Sequence, residues 1–231
     1  MRAVGDYHVA VSSFAYALGA RLMPPLNESN MIARAHCVSA SEVAALMPEG
    51  HPYVTALDVY ERLAGIAKTR PATLPMRIGT HLEPGILSLA CEEYGWRVRA
   101  NSHTSHHRTA PLVATPDAKV IGAPELVEVK YSARSELWTN LPAHVYWQAQ
   151  TQIACNETIE LVHVVVLAGG RLLRFDVERN NAAVRRLCKA AHRMLERLES
   201  GDPPEPTVRG MSAEVRSELF GDIPVSLLLR V

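Results

Sequence analysis

The chain is expected to fold as an α/β protein, with a central mixed β-sheet flanked by helices. Three observations carry this. Helix-period segments enclose a strand-rich centre. The run Leu161-Val162-His163-Val164-Val165-Val166-Leu167 is apolar almost throughout, as a strand buried on both faces must be. And 231 residues with 48% hydrophobic content suffice to bury one sizeable core.

Residues 9–22 have helical spacing and end at Pro24-Pro25. Ser39 or Ser41 can cap a helix reaching Leu46, which Pro48-Glu49-Gly50 stops. Residues 56–68 form the next helix. Residues 77–94 form a long one, with Leu82, Ile86, Leu89 and Ala90 on one face and Gly95 as terminator. A strand starts at 96–100, a polar loop spans 101–111, and 112–130 reads as a β-hairpin turning at Gly122-Ala123-Pro124. A helix is expected at 142–154. A strand at 160–168 then pairs with 171–177 across the Gly169-Gly170 turn. Residues 177–199 form an amphipathic helix. This gives one domain over 1–200, followed by a proline-rich linker at 201–206 and a tail with an apolar end, together 201–231.

Composition narrows the function. Twenty-four basic residues balance 24 acidic ones, so there is no global basic footprint; DNA contact would need a local channel. No apolar run approaches the ~20 residues of a membrane span, and no signal peptide is visible, so a cytoplasmic protein is expected. Cys37, Cys91, Cys155 and Cys188 are scattered without a CxxC pair and read as buried thiols, not as a zinc or iron–sulfur site.

The strongest chemical signal is Thr115-Pro116-Asp117 followed, after ten intervening residues, by Glu128-Val129-Lys130. Side chains alternate along a strand, so Glu128 and Lys130 share one side while Val127 and Val129 take the other. Asp117 on the preceding strand can meet them. Carboxylate oxygens suit Mg²⁺, which takes one or two from protein and fills its shell with water and phosphate. The bland alternative is a solvated strand face. The loop histidines His103, His106 and His107 read as backbone contacts to DNA or as plain loop, because a zinc site needs four placed ligands. Trp138 and Trp147 fit either the core or a stacking surface.

This layout resembles the PD-(D/E)xK nuclease superfamily. Further segments occur in a matching order: Val38-Ser39-Ala40-Ser41-Glu42, then Ala56-Leu57-Asp58-Val59-Tyr60-Glu61, then Arg77-Ile78-Gly79-Thr80-His81-Leu82-Glu83-Pro84, and Tyr146-Trp147-Gln148-Ala149-Gln150-Thr151-Gln152 after the hairpin. Together they resemble the phage lambda exonuclease family of YqaJ-type viral recombinase nucleases.

The resemblance implies that Asp117 and Glu128 hold Mg²⁺ (or Mn²⁺), with the Val129 carbonyl as a further ligand. It makes Glu83 a ligand of a second metal; otherwise Glu83 is a first-turn helix glutamate favoured by the dipole. Lys130 would orient or deprotonate the attacking water, and Gln148 would position either. Gln150 and Gln152 stay ambiguous, Tyr146 matches the tyrosine upstream, and His81 is a helix-surface residue. Arg34 and Ser41 fall where the family grips a 5′-phosphate.

The implied activity is Mg²⁺-dependent 5′→3′ digestion of duplex DNA. It releases mononucleotides and leaves 3′ overhangs for recombination with a single-strand annealing protein. The implied setting is a ring-shaped homotrimer of phage or prophage origin in the bacterial host. An end-independent endonuclease on the same core and a non-catalytic DNA-binding or assembly protein are the rivals.

Overall fold

The structure is a computed structural model that describes residues 36–67, 71–101, 103–133 and 138–207. The expected helix at 9–22, Arg34 and the tail at 212–231 lie outside the described residues.

Strands β1 (Val38–Ser39), β3 (Ser105–His106) and β4 (Leu112–Ala114) make a small sheet in the order β1-β4-β3. The main sheet holds β2 (Val98–Ala100), β5 (Ala118–Val120), β6 (Glu125–Ser132), β7 (Leu161–Ala168) and β8 (Arg171–Glu178), in the order β2-β5-β6-β7-β8. β6 and β7 are parallel and every other neighbour in this sheet is antiparallel. The helices are α1 (Ala56–Leu63), α2 (Leu74–Tyr94), α3 (Ala143–Ala154) and α4 (Asn181–Ser200), with a 3-10 helix at Val43–Leu46.

The two faces of β6 and β7 set the layers. Val127, Val129 and Val165 pack on Ile86, Leu87 and Ala90 of α2. Leu126, Val162, Val164 and Val166 pack on Val145, Ala149 and Ile153 of α3. A third cluster joins the small sheet and 3-10 helix to Leu187, Ala191 and Met194 of α4. β6 and β7 are joined through α3, because a parallel pair needs a long crossover. The β7–β8 turn uses Gly169 and Gly170, both at positive φ (55° and 76°), where a side chain would be strained.

Several elements differ from expectation. Residues 112–130 do not form one hairpin: only β5 and β6 pair, and Leu112–Ala114 belongs to the small sheet. Pro116 lies between the two strands, and a proline has no N–H to carry a ladder onward. Neither Ser39 nor Ser41 caps a helix. Ser39 is in β1, and Glu42 precedes the 3-10 helix with its carboxylate on the Ser39 N–H at 2.9 Å and on Arg62. α1 ends at Leu63 instead of 68. α4 begins at Asn181, where the Asn180 side chain caps Ala182 and Ala183; the chain before it is still strand. The loop at 101–111 contains β3. α2 starts at Leu74 and buries Ile86, Leu87 and Ala90, leaving Leu82 and Leu89 exposed.

Arg179 ties β8 to the end of α3. Its guanidinium donates to the carbonyls of Ile153 (3.1 Å), Asn156 (2.9 Å), Glu157 (3.1 Å) and Ile159 (2.6 Å), supplying donors for backbone that the helix has stopped serving. Arg179→Leu is expected to cost about 2 kcal/mol, lowering the melting temperature by roughly 4–8 °C in a thermal scan. An unchanged melting temperature would mean water replaces the guanidinium without loss.

Candidate active site

The site forms where β5 stops accompanying β6. β5 pairs only as far as Ala118↔Val127, so among the described residues no strand lies beside the edge of β6 beyond that point. Asp117 takes over there, its Oδ2 accepting the Val129 N–H at 2.6 Å. In a strand the carbonyl of a residue faces the same edge as its N–H, which turns the Val129 C=O towards Asp117 as well.

Glu128 lies under this edge, 3% exposed. Its Oε1 accepts from Lys130 Nζ at 2.5 Å and from Gln148 Nε2 at 2.5 Å, and its Oε2 accepts from Gln152 Nε2. Alternation on β6 brings Glu128 and Lys130 to one side, and α3 lays Gln148 and Gln152 across them one turn apart. Glu83 comes from α2 on the opposite face, close enough to Asp117 and Glu128 for their charges to act on one another.

The electrostatics follow from this crowding. Burial pushes the Asp117 carboxyl well above the ordinary carboxylate range, and the charges of Glu128 and Glu83 push it further. Burial and Glu128 raise Glu83 likewise. For Lys130, burial favours the neutral amine, but Glu128, Asp117 and Glu83 outweigh it and hold the ammonium above its ordinary value. Lys130 is therefore a charged donor in this arrangement, not a free base.

Five of the sequence-derived residues converge here: Glu83, Asp117, Glu128, Lys130 and Gln148. Glu83 is not a first-turn residue; it lies in the middle of α2, beside the internal Pro84. Ser41 is exposed, with its Oγ 3.1 Å from that of Ser39. His81 is exposed, and Tyr146 is half-buried with its ring edge-on to the buried Trp147. Trp138 is half-buried beside Phe175. His107 organises its own loop, with Nδ1 accepting from Thr109 N at 3.2 Å and Ala110 N at 2.9 Å. Gln150 turns away, donating to Glu178 O and accepting from Asn180 N.

Gln152, ambiguous from the sequence, joins the site through Glu128. The spacing carried the signal, because 148 and 152 are i and i+4 on one helix face.

Among the described residues, no three or more His, Cys, Asp or Glu side chains are gathered closely enough to hold a metal as they stand. Glu128 is turned onto Lys130 and the glutamines instead. The donor set nevertheless fits a hard divalent cation: three carboxyls, two of them raised by burial and then by one another's charge, beside an edge carbonyl. Gln152 Oε1 is buried and has no hydrogen-bond partner among the described residues, a further oxygen left over beside Glu128.

The sequence profile of the YqaJ-like viral recombinase domain matches residues 31–158. No curated protein sequence matches the chain. Among solved structures, an alkaline exonuclease from Laribacter hongkongensis matches with a TM-score of 0.63 at 23% identity, covering 76% of this chain and 94% of that one. A structure of that enzyme in complex with dAMP matches with the same figures. A phage-related exonuclease from Haemophilus somnus 129PT matches with a TM-score of 0.56 at 10% identity, covering 71% and 96%. These likenesses are of fold: a mixed sheet flanked by helices.

Proposed function

The chain belongs to the YqaJ-like viral recombinase domain family, and from that premise we propose that it is a Mg²⁺-dependent 5′→3′ exonuclease of double-stranded DNA. It degrades one strand from a duplex end into mononucleotides and leaves a 3′ single-stranded overhang for annealing. The observation that carries this reading is the convergence of Asp117, Glu128, Glu83, Lys130 and Gln148 on the open edge of β6. The dAMP complex of the Laribacter enzyme, a mononucleotide on the same fold, is in keeping with it.

Asp117, Glu128 and the Val129 carbonyl would hold one cation, and Glu83 would bear on a second. A divalent ion, Mg²⁺ or Mn²⁺, supplies polarisation of the scissile phosphate and acidification of a bound water. Lys130 donates from its ammonium to the attacking water or to a phosphate oxygen. Gln148 and Gln152 fix the Glu128 carboxylate so that its oxygens are aimed before substrate arrives.

Arg34 and Ser41 receive the 5′-phosphate of the end. The assembly is a homotrimeric ring working beside a single-strand annealing protein in the bacterial cytoplasm, and ring closure requires a heterologous interface. Among the described residues no helix is long and apolar enough to cross a membrane.

Mg²⁺-dependent digestion of a linear duplex with a covalently closed circle left intact is the expected result. Cutting of the circle would make the enzyme an endonuclease. Arg34→Ala is expected to erase a preference of about tenfold for 5′-phosphorylated over 5′-hydroxyl ends, the scale of one charge-assisted contact. A preference that survives would place the phosphate pocket elsewhere.

A further inference from the structure

A cavity of about 430 Å³ opens between the first turns of α3 and α4. None of the carboxylate-site residues lines it. On α3, Gln148 and Gln152 reach Glu128, while Trp147 packs in the cluster shared with α4. Leu141, Tyr146, Trp147, Ala182 and Ala183 make the cavity walls largely apolar. Arg186, exposed, lines it as well and lays its guanidinium over the Trp147 ring, 4.9 Å from the centroid. The acid among the described lining residues, Glu49, is already engaged: it accepts the Trp147 indole N–H at 3.1 Å.

From this cavity α4 continues as a cationic ridge. Residues 181–195 include Arg185, Arg186, Lys189 and Arg193 and no acidic residue. Arg186, Lys189 and Arg193 follow one another at i+3 and i+4 and so share one face, which runs about 10 Å along the helix axis. All four cations are exposed, and among the described residues none takes part in an ion pair. Further along, Arg197 does meet an acid, Asp202 at 3.5 Å. In a chain whose 24 basic and 24 acidic residues cancel, this ridge is a local excess of positive charge beside an apolar cavity.

We propose that this face docks an acidic peptide segment of a partner protein. The partner's carboxylates lie along Arg186, Lys189 and Arg193, and one apolar side chain enters the cavity. Arginine and aromatic residues around a pocket are the usual anchors of a protein interface, and clustered basic side chains are how acidic motifs are read. A single strand of nucleic acid would need open aromatic faces for its bases. Trp147 offers none, being 3% exposed with Arg186 across its ring. The docking stands apart from the nuclease reading, because no residue it uses belongs to the carboxylate cluster.

The test titrates the full chain, in EDTA, into a fluorescein-labelled peptide Asp-Asp-Asp-Asp-Phe and follows its anisotropy. A second peptide with serine in place of the phenylalanine, and a single-stranded oligothymidylate, are run beside it. Saturable binding of the phenylalanine peptide is expected, about tenfold tighter than that of the serine peptide, the scale of one buried apolar side chain. Arg186→Ala should weaken the phenylalanine peptide about tenfold, the scale of one charge-assisted contact. Ala182→Trp, at an exposed position of the cavity wall, should plug the cavity and remove the difference between the two peptides. Thermal melts of both variants beside the parent chain show that each is folded.

Equal affinity of the parent chain for the two peptides would overturn the proposal by reducing the face to a bare charge contact. Failure of both peptides to bind would overturn it outright. Oligothymidylate bound more tightly than the phenylalanine peptide, and weakened by Arg186→Ala, would make the face a nucleic-acid surface instead. Peptide binding by a chain that cleaves no DNA would sink the nuclease reading alone, and cleavage without peptide binding would sink this one alone.

Discussion

Asp117→Asn is expected to abolish cleavage while raising the melting temperature of the metal-free protein. The asparagine oxygen can still accept the Val129 N–H, so the strand edge keeps its 2.6 Å hydrogen bond. What disappears is one of three crowded carboxyls. Burial and the charges of Glu128 and Glu83 hold Asp117 well above its ordinary value, and Glu83 is raised too.

A group raised in the folded state binds its proton more tightly there than in the unfolded chain. Its stabilising contribution is full below the ordinary carboxylate range, near pH ~4, and is lost as pH rises through the folded value. The variant should therefore match the parent chain at acid pH and melt higher at pH 8, by about 2–4 °C for each kcal/mol of repulsion removed. Mg²⁺ should stabilise the parent chain by mass action and do little for the variant. Cleavage should fall at least about 10³-fold, as when a group that handles charge at a reacting centre is lost. The same shifts give the parent enzyme an alkaline preference, because Asp117 and Glu83 must give up their protons before a cation can take their place. A variant that melts below the parent chain at pH 8, or still cleaves, would contradict this account. Differential scanning fluorimetry at two pH values with and without Mg²⁺, beside a cleavage assay, is sufficient.

Lys130→Ala should also abolish cleavage, but with the opposite sign on stability. The ammonium is 2.5 Å from a glutamate that is 3% exposed. Its removal leaves Glu128 with only the two amide donors, a buried charge short of its cation. The expected cost is about 3–5 kcal/mol, or roughly 6–20 °C of melting temperature. Mg²⁺ should restore much of that loss. DNA binding should persist, because most of the attraction to a duplex comes from contacts with many phosphates. Binding that vanishes with Lys130 in a mobility-shift assay would make this residue a phosphate anchor.

The pair of expectations, one carboxylate whose loss stabilises and one lysine whose loss destabilises, depends on a single geometry. It could be read in part from the chain. Alternation on β6 fixes Glu128 and Lys130 on one side and Val127 and Val129 on the other, as the structure has them. The Gly169-Gly170 turn and the buried β7 were legible for the same local reasons.

Glu83 was harder to place: the helix expected over 77–94 starts at Leu74 and runs through Pro84, so Glu83 sits in its middle and not in a first turn. An interior proline costs about 3 kcal/mol in isolation, so it is packing of Ile86, Leu87 and Ala90 on the sheet that keeps α2 continuous. The switch of sheets after Ala114 was invisible to a pattern of alternating apolar residues, which does not say which sheet a strand will join. Gln152 carried a signal in its spacing, but its meaning depends on where α3 lies over β6.

The central claim is that this site removes nucleotides from the 5′ end of a duplex. A linear duplex labelled at either the 5′ or the 3′ end, incubated with the protein and Mg²⁺, tests it most directly. Early release of the 5′ label as a mononucleotide, with the 3′ label kept on a long single strand, is the predicted result. Early release of the 3′ label, or no release with any divalent ion, would contradict it.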